Sequence, residues 1–276
     1  MFSFFSNKNT VKKEKNGVTT ITSNTFVLFL RMLFMTVVSL YTVRCVLNGL
    51  GVVDYGVLNA VAGIVTASTC VSSVLALSTQ RFYSFAMGKG QHERLREIFS
   101  VSLNLVVILS IILLIIFITL GSWFVNTQLN IPPSRQSAAQ WLLILSLISF
   151  IFSILQIPYM GAVFAHEDME IYALISILDC ICKLIVAVNI KNTPINSLIF
   201  YGIGFAVIAL FDLIAYIIIA KHKYKECNYI KVTSKETLKE LISFSGWTFY
   251  GSVAGVSMTQ GSTILLNIFF GPIINA

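Results

Sequence analysis

The sequence carries little charge for its length. Asp, Glu, Lys and Arg make up 11% of the 276 residues, whereas apolar residues make up 56%. A water-soluble domain carries roughly 25% charged residues. So few charges do not provide a water-facing surface for a chain of this size. Lipid is therefore the solvent expected for much of the protein.

Residues that bind metals or act in acid–base catalysis are scarce and scattered. The cysteines are Cys45, Cys70, Cys180, Cys182 and Cys227, and their spacing frames neither a disulfide domain nor a metal site. His166-Glu167-Asp168 lies in a loop without a second His or Cys at ligand spacing. Helix capping at the membrane interface is the favoured interpretation of that cluster. We expect no enzymatic activity, no metal and no resident cofactor.

Apolar runs fill most of the chain instead. A helix needs about 20 mainly apolar residues to cross a bilayer, and seven runs satisfy this requirement. They lie near 24–43, 57–87, 99–121, 139–161, 171–190, 197–220 and 244–270. The runs are continuous, unlike the alternating strands of a membrane barrel. The expected fold class is all-α, a polytopic helical bundle in a membrane.

The distribution of polar segments predicts the domain organisation. Residues 1–23 form a basic tail, 24–220 a six-helix N-terminal lobe, and 221–243 a basic cytoplasmic linker. Residues 244–276 then provide the first helix of a second lobe. Bundles built from repeats have paired halves, and the last run ends without a polar tail. We therefore expect a chain truncated after its seventh span.

The positions of Lys and Arg predict the orientation. With the N-terminus inside, thirteen of these residues lie in cytoplasmic segments and three, Arg44, Arg135 and Lys191, lie outside. Cytoplasmic loops are enriched in Lys and Arg, so the N-terminus is expected to be cytoplasmic. Because the positive charges lie at the ends of the spans, the net charge of +7 indicates membrane topology, and no nucleic-acid partner is expected.

Five charged residues fall inside the predicted spans: Arg31, Arg81, Asp179, Lys183 and Asp212. A charge at the bilayer centre costs about 2.5–3.5 kcal/mol, so each should face a partner or water. The basic residues are candidates for substrate binding, although Arg31 and Arg81 are also long enough to reach the headgroups. The acidic residues are candidates for coupling to H⁺ or Na⁺.

Two interpretations remain open for the acidic candidates. Asp179 and Lys183 stand four residues apart in the favourable order for an intrahelical ion pair. They either neutralise each other or form a coupling site in which Asp179 takes up a cation and releases Lys183. Asp212 has no partner within a turn of its own helix. It must pair across helices, face water or carry a proton.

Several short motifs resemble those of bacterial lipid-linked oligosaccharide flippases, the O-antigen and polysaccharide exporters of the MOP superfamily. The matching segments are Arg31-Met32-Leu33, Tyr41 to Leu47, Leu50 to Gly56, Gln80-Arg81-Phe82 with Gly88-Lys89-Gly90, and Ile157-Pro158-Tyr159 through Ala165-His166-Glu167. The resemblance is spread over nearly the whole chain. It is specific as a set, and each motif alone is weak.

This resemblance implies a fold and an activity. Such transporters have two lobes of about six helices around a cavity that opens alternately to each side. They move a polyprenyl-pyrophosphate-linked sugar repeat across the inner membrane, with basic cavity residues holding the anionic group and an ion gradient as the driving force. The role carries over to Arg31, and less directly to Arg81. Lys183 matches in chemistry but lies outside the motifs.

The sequence also leaves competing functions open. A cation-coupled multidrug or metabolite exporter of the same fold would present carboxylates to its cavity. A membrane polysaccharide polymerase or ligase would carry a large outer loop, whereas the outer loops here are short. A non-transporting fragment is a further alternative. Membrane lipid, an anionic polyprenyl-linked glycan and other polysaccharide-assembly membrane proteins are the expected partners.

Overall fold

The computed structural model describes residues 3–127, 133–194, 196–231 and 234–270, and these contain helices and no strand. The α-helices are α1 (Ser3–Gly88), α2 (His92–Thr127), α3 (Pro133–Leu155), α4 (Ile157–Ala165), α5 (Met169–Asn189), α6 (Ser197–Lys223) and α7 (Lys235–Phe270). Short 3₁₀ turns cover Ile190–Asn192 and Lys225–Cys227. The expected all-α class is confirmed.

Five helical stretches of the described residues are long and apolar enough to cross a membrane. They are Thr22–Asn59, His92–Thr127, Arg135–Ala165, Met169–Asn192 and Ser197–Lys223. They overlap five of the seven predicted spans and support a multi-pass membrane protein. The predicted spans at 57–87 and 244–270 lie partly outside the residues whose side chains are described.

A glycine divides the long helix α1 into two. Gly51 has φ 78° and ψ 171°, a conformation that glycine adopts without the steric cost of a Cβ. We call the two parts α1a (3–50) and α1b (52–88). Just before the break, a Cβ on Gly49 would lie 2.9 Å from the Ile190 side chain. The chain therefore reverses while packed closely against the turn that follows α5.

The bundle is arranged around two main helix pairs. α1 packs chiefly against α5, and α3 packs chiefly against α6. At one end the core is built around Tyr83, Phe99 and Tyr159, and towards the other end around Leu142, Leu143 and Leu198. We call the end of the bundle that contains Tyr83, Phe99 and Tyr159 the basic end. It carries the junctions 88–92, 165–169 and 223–235.

At the basic end, the connection between α6 and α7 is fastened to the loop before α5. Tyr224 stacks on His166 at 4.2 Å between ring centroids and donates a hydrogen bond to Asp168. Lys223 lies 2.8 Å from the same carboxylate, and His166 contacts Glu226. Among the described residues, α6 ends at Lys223 and α7 begins at Lys235, and both positions fall within the 221–243 linker expected from sequence.

The structure bears out part of the capping interpretation of the His166 cluster, because His166 is the C-cap of α4 and its backbone N–H bonds the Ala162 carbonyl. Asp168 occupies the N-cap position of α5, but its side chain makes no capping hydrogen bond. Burial would raise the pKa of Asp168, yet the hydrogen bonds from Lys223 and Tyr224 outweigh it and lower that pKa. The carboxylate therefore stabilises the fold above the ordinary carboxyl range, and the contribution is lost as the pH falls through the lowered pKa.

Tyr224→Phe should lower the stability of the bundle by about 1 kcal/mol, because it removes a buried hydrogen bond while keeping the stacked ring. Thermal unfolding in detergent measures the change. Tyr229→Phe is the matched control, since the Tyr229 hydroxyl bonds Asn104 at 3.3 Å from an exposed position. Equal effects of the two substitutions would show that the Tyr224 hydroxyl does not fasten the connection.

Candidate functional site

A polar cavity of about 520 Å³ lies among α1, α3, α5 and α6. Its polar lining includes Asn59, Ser146, Ser149, Ser153, Asp179, Lys183 and Asp212. The three serines stand three and four residues apart on α3, so they share one helical face. Hydroxyl and amide groups together with three charged side chains make this lining polar inside an otherwise apolar bundle.

An ion pair lies at the wall of this cavity. Lys183 Nζ is 2.8 Å from Asp179 Oδ2 across one turn of α5. The ammonium also lies 5.4 Å from the ring centroid of Phe205 on α6. The intrahelical pair expected from the spacing is therefore present. It neutralises both charges where hydrocarbon would otherwise surround them.

Asp212 reaches the same place from α6. It stands beside Asp179 and Lys183, and its buried Oδ1 has no hydrogen-bond partner among the described residues. Two carboxylates cannot donate to each other, whereas a protonated carboxyl supplies one O–H donor. The two carboxyls can therefore form a hydrogen bond with each other only when one of them carries a proton.

Arg31 is placed near this cluster but does not appear among the described lining residues. Its Nη2 donates to the Tyr172 hydroxyl at 3.1 Å, and its guanidinium carbon lies 4.3 Å from the centroid of the same ring. Its Nε is buried without a hydrogen-bond partner in the described part of the chain. Within that part, no carboxylate pairs with Arg31 either. The guanidinium is therefore a cation inside a membrane span, and it has no counter-ion among the described residues.

The structure places Arg81 elsewhere. Its guanidinium carbon stacks 4.1 Å from the centroid of Phe244 on α7, and one turn earlier Ser78 accepts a hydrogen bond from Ser245 at 2.9 Å. Arg81 is exposed. It therefore belongs to the contact between α1b and α7. Of the five charged candidates, Asp179, Lys183 and Asp212 lie together, Arg31 lies near them, and Arg81 does not.

Two tyrosines that the sequence analysis did not select connect Arg31 to the acidic cluster. Tyr172 contacts Arg31 directly, and buried Tyr216 lies within electrostatic range of Arg31, Asp179 and Asp212. A signal for both was present in the spacing. Tyr172 precedes Asp179 by seven residues and Tyr216 follows Asp212 by four, so each shares a helical face with an intramembrane carboxylate.

Asp54 is a further buried carboxylate that the sequence analysis did not select. Only 4% of it is exposed, and Arg135 Nε lies 3.0 Å from its Oδ1, although the N–H is not aligned for a hydrogen bond. The pair joins the start of α1b to the start of α3. It lies outside the polar cavity.

The fold is similar to that of a solved transporter. Over 85% of this chain and 52% of the other, it matches a MOP superfamily transporter from Pyrococcus furiosus with a TM-score of 0.65 and 16% sequence identity. The chain shares the fold of that transporter. It spans about half of that protein's length. No family model and no curated protein matches the sequence.

If the polar cavity holds water, a cysteine in its wall should react with a water-borne thiol reagent. In a background lacking the five native cysteines, Ser149→Cys should be labelled rapidly by a charged methanethiosulfonate. Ser110→Cys is the control, because Ser110 also bonds a carbonyl of its own helix but is buried outside the cavity. Equally slow labelling of both would mean a dry cavity.

Proposed function

We propose that this protein is a multi-pass transporter of the bacterial inner membrane that moves a polyprenyl-pyrophosphate-linked oligosaccharide by alternating access. The observation that carries the proposal is Arg31, a guanidinium in a membrane span with a free, buried N–H and no counter-ion among the described residues. The likeness to a MOP superfamily transporter supports the transport class, and the flippase-like motifs around Arg31 support the substrate.

The chemistry of Arg31 suits a phosphate group. A guanidinium presents planar donors that match phosphate oxygens, and it stays charged even when buried. Tyr172 holds one side of the guanidinium and leaves Nε unused. An arriving pyrophosphate would supply both the missing hydrogen bonds and the missing negative charge. Arg31 is therefore the residue proposed to bind the substrate head group.

A carrier is required because pyrophosphate cannot enter hydrocarbon alone. Transfer of an ion from water into a medium of low dielectric constant costs several kcal/mol even after relaxation, and the hydrocarbon core is about 30 Å thick. Polar groups in a hydrated cavity replace the lost water during passage. The polyprenyl tail remains in lipid throughout, so only the head group needs the protein.

The carboxylate cluster is proposed to couple transport to a proton gradient. A proton on Asp212 would give its unpaired buried oxygen a hydrogen bond to Asp179. Loss of that proton would place two negative charges against one ammonium. Lys183 would then be drawn between the two carboxylates, away from its present geometry. The protonation state and the packing of α5 on α6 are thereby linked.

A cation-coupled drug or metabolite exporter is the second candidate. The described lining of the polar cavity carries two carboxylates, Asp179 and Asp212, and one ammonium, Lys183, which favours an organic cation. The similar Pyrococcus furiosus transporter is characterised by reversed polarity of its binding pocket, which suggests a different function for it. Pocket polarity therefore varies within this fold. Displacement of bound undecaprenyl pyrophosphate by tetraphenylphosphonium would favour the exporter.

The remaining parts of the proposal follow from charge and composition. We place the N-terminus and the basic end on the cytoplasmic side, where anionic lipid attracts Lys and Arg. Membrane lipid and other membrane proteins of polysaccharide assembly are the proposed partners. No nucleic acid and no cofactor other than the coupling ion is part of this function.

Arg31→Gln should weaken the binding of undecaprenyl pyrophosphate to the protein in nanodiscs by about tenfold or more, because hydrogen bonds to a charged group are lost. Native mass spectrometry measures the bound fraction. Arg44→Gln is the control, since Arg44 is an exposed arginine of the same helix. Full complementation of a flippase-null strain by Arg31→Ala, at equal expression, would contradict the proposed role.

Asp212→Asn should remove a protonated-carboxyl band from the infrared spectrum of the protein at neutral pH, because the proton is proposed to lie between Asp212 and Asp179. Asp54→Asn is the control and should keep the band, since Asp54 pairs with Arg135 outside the cavity. A spectrum of the Asp212→Asn protein that still contains the band would rule out Asp212 as the proton carrier.

A further inference from the structure

An apolar groove of about 850 Å³ runs between α1b, α2 and α7, on a different part of the bundle from the polar cavity. Its lining is almost wholly aliphatic and aromatic, and it includes Val74, Ile108, Ile242 and Phe249. Ile108 and Ile242 are 60% and 51% exposed. The groove is therefore open along its side rather than enclosed.

The groove has the length of one lipid leaflet. On α2 its lining runs from Val101 to Ile112, and eleven residues of helix rise about 16 Å. The hydrocarbon core of a bilayer is about 30 Å thick, so one leaflet occupies about half of it. A hydrocarbon chain standing along the bilayer normal matches this length.

Two lysines stand near the end of the groove at the basic end, although neither is among its lining residues. Lys235 precedes the lining residues Leu238 and Ile242 by three and seven positions on α7, and Lys239 has the same relation to Ile242 and Gly246. Such spacing places each lysine on the helical face that lines the groove. Neither ammonium has an ion pair within the described residues, and both lysines are exposed.

Two of the acidic residues nearby are engaged with other groups, whereas Glu236, three residues before Lys239 on α7, has no ion pair among the described residues. Glu240 pairs with Arg94 at 3.0 Å, and Glu97 accepts a hydrogen bond from Thr237. Both contacts line a second cleft, which α2 and α7 form on the other side of α7. Glu240 and Glu97 therefore do not neutralise Lys235 and Lys239, whose ammonium groups can meet an anion from outside the described chain.

We propose that this groove binds the tail of a polyprenyl phosphate, with the phosphate held at its mouth by Lys235 and Lys239. The inference rests on the proposed function, in which the substrate has a single isoprenoid tail and an anionic head group. The groove adds a docking place at the membrane surface of α2 and α7, separate from Arg31. The groove is single and has one cationic end. It therefore matches a lipid that has one tail and one phosphate group.

A glycine in the groove allows a sharp test. A Cβ at Gly246 would meet no atom within 4 Å, and the same holds for Gly251, which does not line the groove. Gly246→Leu should therefore narrow the groove without disturbing its walls, and Gly251→Leu is the matched control on the same helix. The probe is undecaprenyl phosphate that carries a diazirine on its tail, added to the protein in phosphatidylcholine nanodiscs.

Wild-type protein and Gly251→Leu should be cross-linked in the peptides that contain Ile108 and Phe249, and Gly246→Leu should lose these cross-links. Lys235→Gln and Lys239→Gln should each weaken labelling about fivefold, as expected for one cation at a membrane surface. Unlabelled undecaprenyl phosphate should compete, and phosphatidylglycerol should not. Equal labelling of both leucine variants, or equal competition by phosphatidylglycerol, would overturn the proposal and indicate ordinary lipid contact.

The outcome can be separated from that of the proposed function. If Arg31→Gln abolishes binding of undecaprenyl pyrophosphate while Gly246→Leu leaves the cross-links unchanged, the groove proposal fails and the role of Arg31 stands. If the groove is labelled as expected and Arg31→Gln binds like wild type, the groove proposal stands and the role of Arg31 fails.

Discussion

Hydrocarbon cannot hydrate a charge, and this constraint governs the arrangement of side chains inside the bundle. Asp179 and Lys183 satisfy it by pairing along one helix, and Arg81 satisfies it by stacking on Phe244 of α7. Asp212 and Arg31 each retain a buried polar atom without a partner in the described residues. Tyr216 lies within electrostatic range of both, and these two residues are where an external proton and an external anion are proposed to bind.

The basic end provides the mechanical connection between the six-helix part and α7. Tyr224, His166 and Asp168 fasten the chain just after α6, and the Arg94–Glu240 pair fastens the start of α7 to α2. With α7 held in this way, the apolar groove beside α2 keeps a defined shape.

The function of this protein depends more on the side chains at its binding sites than on its fold. The same architecture supports transport of chemically different substrates, because the helices build the frame and a few side chains choose the ligand. In this protein the described part of the cavity lining carries two carboxylates and one ammonium, whereas the guanidinium of Arg31 lies near it. The residues proposed for the coupling ion are therefore separate from the residue proposed for the anionic head group.

Composition and period alone determined the fold class, because lipid requires long apolar helices with internally bonded backbones. The same reasoning found the Asp179–Lys183 pair, which depends only on helix geometry within one segment. Sequence could not show that Asp212 stands beside that pair, that Tyr172 holds Arg31, or that Arg81 faces α7, since each contact joins helices distant in sequence. The contacts of the Asp168 side chain could not be predicted for the same reason. Its partners, Lys223 and Tyr224, lie over fifty residues away, and only the packing of α6 against the α4–α5 loop brings them together.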